Sequence, residues 1–217
     1  MTFEFFDPKD EVVIREGNLP HWFQPGVTYF ITFRTEDSVP QQLVKSWYGR
    51  REEWLRANGI EPQASNWRTR LRAAPELDKK FSTIFTREFM EYLDRGLGEC
   101  VLRDQKLAAV VASSFHHFDG QKYHLGDFIV MPNHVHLLVC LLGATEIEPM
   151  CESWKHFTAR QINKELGRQG RFWQEESFDH LVRSAEQLEA LERYIAENPA
   201  KSGTGEGDYL HYRRSKR

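Results

Sequence analysis

Two histidines one residue apart, His134 and His136, and a tyrosine and an asparagine four apart, Tyr194 and Asn198, stand out by type and spacing. The segment Met131-Pro132-Asn133-His134-Val135-His136-Leu137-Leu138-Val139 has the alternation of a strand, so both imidazoles face one side while Val135 and Leu137 face the other. Two titratable rings in one small volume cost solvation and repulsion when either is charged. A divalent cation relieves both costs by binding the neutral rings. The motif is only two residues long, and a solvated histidine pair on a strand face meets the same spacing. In Tyr194-Ile195-Ala196-Glu197-Asn198-Pro199 a helix brings the Tyr194 hydroxyl and the Asn198 amide toward one site, with Leu191 and Ile195 anchoring it from below. A tyrosine that bridges core and solvent satisfies that pattern too. Pro199 biases Asn198 away from helical geometry and is expected to stop the helix.

The elements that must position these residues follow from periodicity. VTYFITFRT (27–35), opened by Pro25-Gly26, reads as a half-buried strand. Residues 41–57 read as a helix ended at Asn58-Gly59, inside a helical insertion of about 36–80. From 81 to 118 apolar residues recur at helical intervals, with a break at Gly96-Leu97-Gly98, and predict two consecutive helices. YHLGDFIVMP (123–132) and HVHLLVCLL (134–142) read as adjacent central strands joined at Pro132-Asn133. Residues 147–166 predict an amphipathic helix, and RFWQEESFDHLV (171–182) a fourth, irregular strand. A last helix opens with Ser184 and Gln187 in a capping-box arrangement. The resulting order predicts an α+β chain with a ferredoxin-like, split βαβ antiparallel sheet. To this are added a helical insertion after the first strand and a C-terminal helix carrying the tyrosine.

The chain has 217 residues, 40% of them hydrophobic and 28% charged, which suits one globular domain over 1–204 and a basic, flexible tail over 205–217. No apolar run of membrane-spanning length is present, and the N-terminus lacks a signal-peptide core. Three cysteines without CxxC spacing suit buried thiols in a reducing cytoplasm better than a disulfide or zinc framework. The formal charge of −3 neither advertises nor excludes a nucleic-acid binder, since basic residues cluster locally in WRTRLR (67–72) and in the tail. Arg34, Lys155, Arg160, Arg213 and Arg214 are candidate phosphate contacts, each equally readable as a surface charge.

Taken together, His134-Val135-His136 and Tyr194 resemble the HUH endonucleases, which use a His-hydrophobic-His pair on a strand and a helix-borne tyrosine. LPHW (19–22), GVTYFITFRT (26–35), MPNHVHLLV, FWQEESFDHLVR and YIAENPAKSG, in that order, further resemble the REP-associated tyrosine transposases, single-tyrosine relatives of the insertion-sequence transposases of bacteria. The resemblance implies Tyr194 as nucleophile, with His134, His136 and the polar Asn198 as ligands of Mg2+ or Mn2+. It implies a DNA endonuclease and strand transferase that cuts single-stranded DNA at hairpin-forming palindromic repeats, leaving a 5′-phosphotyrosine and a 3′-hydroxyl. A bacterial, nucleoid-associated cytoplasmic protein, monomer or homodimer, with no membrane partner, is the corresponding expectation. Two other readings stay open at this point: a non-catalytic protein that binds repeat hairpins, and a metal hydrolase in which Asp127 serves as base.

Overall fold

A computed structural model describes residues 3–15, 21–39, 41–64, 66–87, 97–175 and 177–215. In chain order the elements are β1 (Val13–Arg15), β2 (His21–Phe23), β3 (Thr28–Arg34), α1 (Gln41–Ala57), α2 (Trp67–Arg72) and α3 (Pro75–Phe81). After them come α4 (Gln105–His116), β4 (Tyr123–Val130), β5 (His134–Leu141), α5 (Ile147–Glu165), β6 (Phe178–Leu181), α6 (Ala185–Ser202) and β7 (Leu210–Tyr212). They form two compact units, Met1–Ser38 with Glu99–Arg217, and Val39–Gly98.

The first unit is built on a five-stranded antiparallel sheet in the order β6-β3-β5-β4-β7. Without β7, the order is fourth, first, third, second, which is the split βαβ arrangement expected from the sequence. Strand alternation sends Tyr29, Ile31, Phe33, Val135, Leu137 and Val139 to one face, where α4 and α5 cover them with Leu107, Val111, Phe115, Met150, Trp154 and Ile162. The other face presents Phe30, Ile129, Met131 and Leu138, packed against Ile195, Leu188, Leu191 and Tyr194 of α6. One sheet therefore carries two cores. Buried polar atoms within the larger core are paired: Tyr123 donates to Phe115 O (2.7 Å), Trp154 Nε1 to Tyr123 Oη (3.2 Å) and Trp173 Nε1 to Thr158 Oγ1 (2.8 Å).

Several expectations are corrected by this architecture. Pro199 does not stop the last helix, which continues to Ser202 and ends at Gly203. Pro199 removes the N–H that would bond Ile195 O and crowds that carbonyl, a cost met by the burial of Asn198 and Pro199. The closing turn is made instead by the left-handed Gly203 (φ 67°) and by Thr204 N–H on Pro199 O (2.9 Å). Asn198 consequently keeps helical spacing from Tyr194. The tail is not free throughout, since Leu210–Tyr212 pair with β4, Tyr212 stacks on Phe128 (5.0 Å), and Asp127 accepts from Arg214 N–H (2.9 Å). The fourth strand is shorter than 171–182. Trp173 forms a lone bridge to Thr35, and regular pairing begins at Phe178. The hairpin of β1 and β2 is an addition no pattern announced. Of LPHW, Leu19 and Pro20 lie outside the described residues, as does 88–96 of the expected helices.

The second unit is wider than the predicted insertion of 36–80. Its α1 spans the expected 41–57, and Gly59 at φ 74° turns the chain so that Ile60 N–H reaches Leu55 O (2.9 Å). Leu55, Ile60, Trp67 and Leu71 form its core, joined by Trp54, Leu77 and Phe81. WRTRLR is thus an anchored helix, α2, and not only a basic patch. The Arg51 guanidinium lies over the rings of Tyr48 (4.6 Å), Trp47 and Trp67 (both 5.4 Å).

The pairing of β4 with β5 is irregular between Leu125 and Phe128, where Gly126 lies against Leu138. A Cβ on Gly126 would stand 2.8 Å from Leu138 Cβ and 3.0 Å from Leu138 O, neither of which can withdraw without moving β5. Gly126→Ala should therefore cost about 1–3 kcal/mol in urea unfolding. An unchanged midpoint would show that the irregularity relaxes freely.

Candidate functional site

His134 and His136 lie on the α6 side of β5, with ring centroids 4.8 Å apart and at most 2% exposure. The neighbouring chain orients each ring. His134 Nδ1 meets Asn133 Oδ1 at 2.8 Å, and His136 Nδ1 meets Thr32 Oγ1 at 2.7 Å across the β3–β5 pairing. With Nδ1 donating in each case, the lone pair sits on Nε2. Both Nε2 atoms are buried without a hydrogen-bond partner. The same is true of both side-chain atoms of Asn198, which is fully buried on α6. The carboxamide lies near enough to His134 to favour its protonated form, yet no hydrogen bond of proper geometry joins them.

Burial and the Arg34 guanidinium hold His134 down to about 3, while Asn198 opposes them weakly. Burial first, then the neighbouring His134 and Arg34, keeps His136 well below the ordinary histidine range. Both rings are therefore neutral at neutral pH, the state a metal ligand requires. Two Nε2 atoms on neighbouring rings and a carboxamide oxygen near His134, all buried and unpaired, fit a hard divalent cation that completes its shell with water or phosphate oxygen. Among the described residues, no group of three His, Cys, Asp or Glu could hold a metal ion, and the Asn198 amide is the further oxygen donor beside His134.

Tyr194 is half-buried beside this pair. Its ring meets His136 edge-on at 5.1 Å and Phe30 at 5.9 Å, and Phe30 stacks on His136 at 5.4 Å. Lys201, two turns further along α6, holds its ammonium 4.9 Å over the Tyr194 ring. The fold thus assembles four of the predicted site residues, His134, His136, Tyr194 and Asn198, and adds Arg34, buried at 6% exposure opposite His134 in the β3–β5 register.

It does not gather the other basic candidates there. Lys155 and Arg160 belong to α5, which covers the opposite sheet face; Lys155 Nζ donates to Glu175 O, and Arg160 is exposed. Arg213 is exposed beyond β7, and the Arg214 guanidinium binds Leu125 O and lies 3.6 Å from Asp119. Asp127, the base required by a hydrolase reading, is engaged by Arg214 N–H at the β4–β7 edge. Thr32, Asn133, Phe30 and Lys201 escaped the sequence reading. Asn133 had a signal, being the residue directly before His134, whereas Thr32 needs the strand register.

The depressed histidines make a stability prediction. In the unfolded chain each titrates near ~6.5, so protons bind the unfolded state first, and stability present above that pH is lost as pH falls toward the folded value. For the metal-free protein, unfolding free energy should fall by a few kcal/mol between about pH 6.5 and 4. His134→Gln should flatten that slope in urea titrations; an unaltered slope would place the proton uptake elsewhere.

Comparison with known proteins bears on residues 101–198, which match the family described as "Transposase IS200 like". No curated protein matches the chain. Among solved structures, the chain is similar to a REP-associated tyrosine transposase bound to a REP hairpin. Identity is 14% over 85% of this chain and 73% of that one, with a TM-score of 0.44. The matched segment runs from the turn before α4 to Asn198 and contains His134, His136 and Tyr194. Over these residues, which make up less than half of the chain, it is similar to the IS200-like transposases.

Proposed function

We propose that the chain is a metal-dependent endonuclease and strand transferase for single-stranded DNA, acting at hairpin-forming palindromic repeats through a 5′-phosphotyrosine. The observation that carries this reading is the pair of unpaired, buried imidazole Nε2 atoms on rings 4.8 Å apart, with the unpaired Asn198 amide near His134 and the Tyr194 ring against His136. A pure binding surface has no use for buried polar atoms left without partners.

His134 Nε2, His136 Nε2 and Asn198 Oδ1 would hold the cation, Mg2+ or Mn2+, which when bound supplies Lewis-acid polarisation of a non-bridging phosphate oxygen. Asn133 and Thr32 keep the rings turned so that Nε2 points into the site. Phe30 backs His136 and Tyr194 together and limits the swing of both. Tyr194 Oη attacks phosphorus and loses its proton to solvent; the phosphorus bond to the 3′ oxygen breaks, and that oxygen leaves as a hydroxyl after taking a proton. The tyrosyl phosphodiester retains the energy of the broken bond, so a 3′-hydroxyl of the same or another strand can reverse the step. Arg34 near His134, and Lys201 over the Tyr194 ring though ion-paired with Glu197 (3.2 Å), would supply positive charge toward the attacked phosphate, where charge accumulates in the transition state.

Incubation with 5′- and 3′-labelled hairpin DNA bearing single-stranded flanks should give a protein-linked band in Mn2+ or Mg2+ and none in EDTA. Tyr194→Phe keeps the ring packing and should bind the same DNA with affinity within about twofold while forming no adduct. An adduct from Tyr194→Phe would remove the nucleophile assignment. Specific hairpin binding with no adduct from the wild type would favour a binding protein descended from such enzymes.

A further inference from the structure

At the N-terminal end of α6, Gln187 is engaged by three partners. Its N–H donates to Ser184 Oγ (3.2 Å), its Oε1 accepts from Arg183 N–H (2.8 Å), and its Nε2 lies 2.6 Å from His180 Nε2. The amide orientation follows from the second of these. With the oxygen committed to a backbone N–H, the NH2 group faces the imidazole, and an NH2 has no lone pair to offer. His180 Nε2 must then be the acceptor, which puts the ring proton on Nδ1. A doubly protonated ring would oppose N–H to N–H. Flipping the amide would turn NH2 against Arg183 N–H instead, so either response breaks one bond of the cap.

This link has leverage on the site. Gln187, Leu191, Tyr194 and Asn198 are spaced four, three and four residues apart and form one stripe of α6. Tyr194 stands about 10 Å along the axis from Gln187. His180 is on β6 opposite Phe30 of β3, and Phe30 contacts both His136 and Tyr194. One end of the stripe is thus tied to the edge strand, and the other carries the nucleophile and the amide donor.

We propose that neutral His180, acting through Gln187, is a positioning residue that sets the rotation of α6 and so the reach of Tyr194 to the phosphate, and that protonation of His180 releases it. The proposal rests on the reading of Tyr194 as nucleophile. Burial and the Arg183 guanidinium press His180 toward the neutral form, with Asp179 on its own strand opposing them. Phe178 stacks alongside at 6.4 Å, Phe30 and Gln187 are uncharged, and the Glu186 carboxylate of α6 is turned to Ser184 and solvent. From β2, which packs on β6, the described side chain is Phe23. The link therefore holds above a pKa lying below the usual ~6.5 and is lost as pH falls through it. Burial likewise holds both site histidines down, His134 to about 3, so the assignment of an acid inflection rests on the His180 variants.

The test pairs a spectrum with a rate, on the full chain. Imidazole 15N resonances of His180 at neutral pH should show a protonated Nδ1 and a bare Nε2; a protonated Nε2 overturns the link whatever the protein's activity. Single-turnover formation of the DNA adduct in Mn2+ is then followed from pH 4.5 to 8. His180→Phe, with no acceptor, should slow adduct formation about tenfold or more at pH 7.5, the loss expected for a misplaced nucleophile, at unchanged hairpin affinity. His180→Gln offers Gln187 an acceptor that does not titrate, so it should restore the rate to within about threefold and remove the acid inflection. A wild-type rate in His180→Phe, or an inflection retained in His180→Gln, overturns the proposal. A wild type that forms no adduct refutes the nucleophile reading instead, and the tautomer measurement still decides the link.

Discussion

Two imidazoles and a carboxamide are buried side by side with their inward atoms unpaired, and the rest of the first unit is arranged around that cost. A buried polar group left unsatisfied costs about 1–3 kcal/mol, so these atoms are tolerable in a domain of order 5–15 kcal/mol net stability where water or a cation meets them. The opposite sheet face supplies the compensation. Val135, Leu137 and Val139, next to the histidines in sequence, enter a core filled by Phe33, Phe115, Phe128, Trp154 and Trp173, whose rings meet mostly edge to face. β5 is therefore held by one set of alternate residues while the other set stays chemically available.

This division between faces explains which basic residues can reach the site. Both crossovers of a split βαβ sheet are right-handed, which puts α4 and α5 on the same face. Lys155 and Arg160 go with α5. The remaining face is left for the last helix, and its sheet-facing stripe brings Tyr194 and Asn198 to His136 and His134. Arg34 enters because residues 30, 32 and 34 of β3 face the same way as 134, 136 and 138 of β5. β7 and the close approach at Gly126 finish the far edge, and they leave the histidine face to α6.

Much of this was legible without coordinates where the signal is local. The alternation around His134-Val135-His136 gives their shared face, Ser184 and Gln187 mark the start of α6, and strand and helix periods give the order of the sheet. What was not legible depends on contacts far apart in sequence or on very short segments. Thr32 supports His136 across 104 residues, and only the register joins them. Leu210–Tyr212 is a strand of three residues between a glycine-rich turn and arginines, and it pairs because the β4 edge offers partners. Pro199 carries a strong local signal for helix termination, but the closing turn at Gly203 and the burial of Asn198 and Pro199 hold the helix through it. A periodic helix such as α5 reveals that it has an apolar side, but its own period does not tell which face of the sheet that side will cover.

The unequal burial of the site residues matches the unequal tasks the proposed function gives them. A metal-binding imidazole works neutral, and desolvation keeps His134 and His136 so by making the charged ring costly. A nucleophile aimed at a hydrated polyanion cannot be sealed in the same way, because its oxygen has to meet a phosphate arriving from solvent. Tyr194 answers both demands by position. Its ring is clamped by Phe30 and His136 at the margin of the smaller core, while it remains half-exposed beneath the Lys201 ammonium. Carrying the tyrosine on a helix that caps the sheet, and the histidines on the sheet itself, lets the proposed ligand pair stay dry while the proposed nucleophile stays reachable. The registry between the two then depends on how α6 is held at its ends, and there the fold places side-chain hydrogen bonds: Gln187 to His180 and Arg183 at one end, and Ser202 Oγ to Asn198 O at the other.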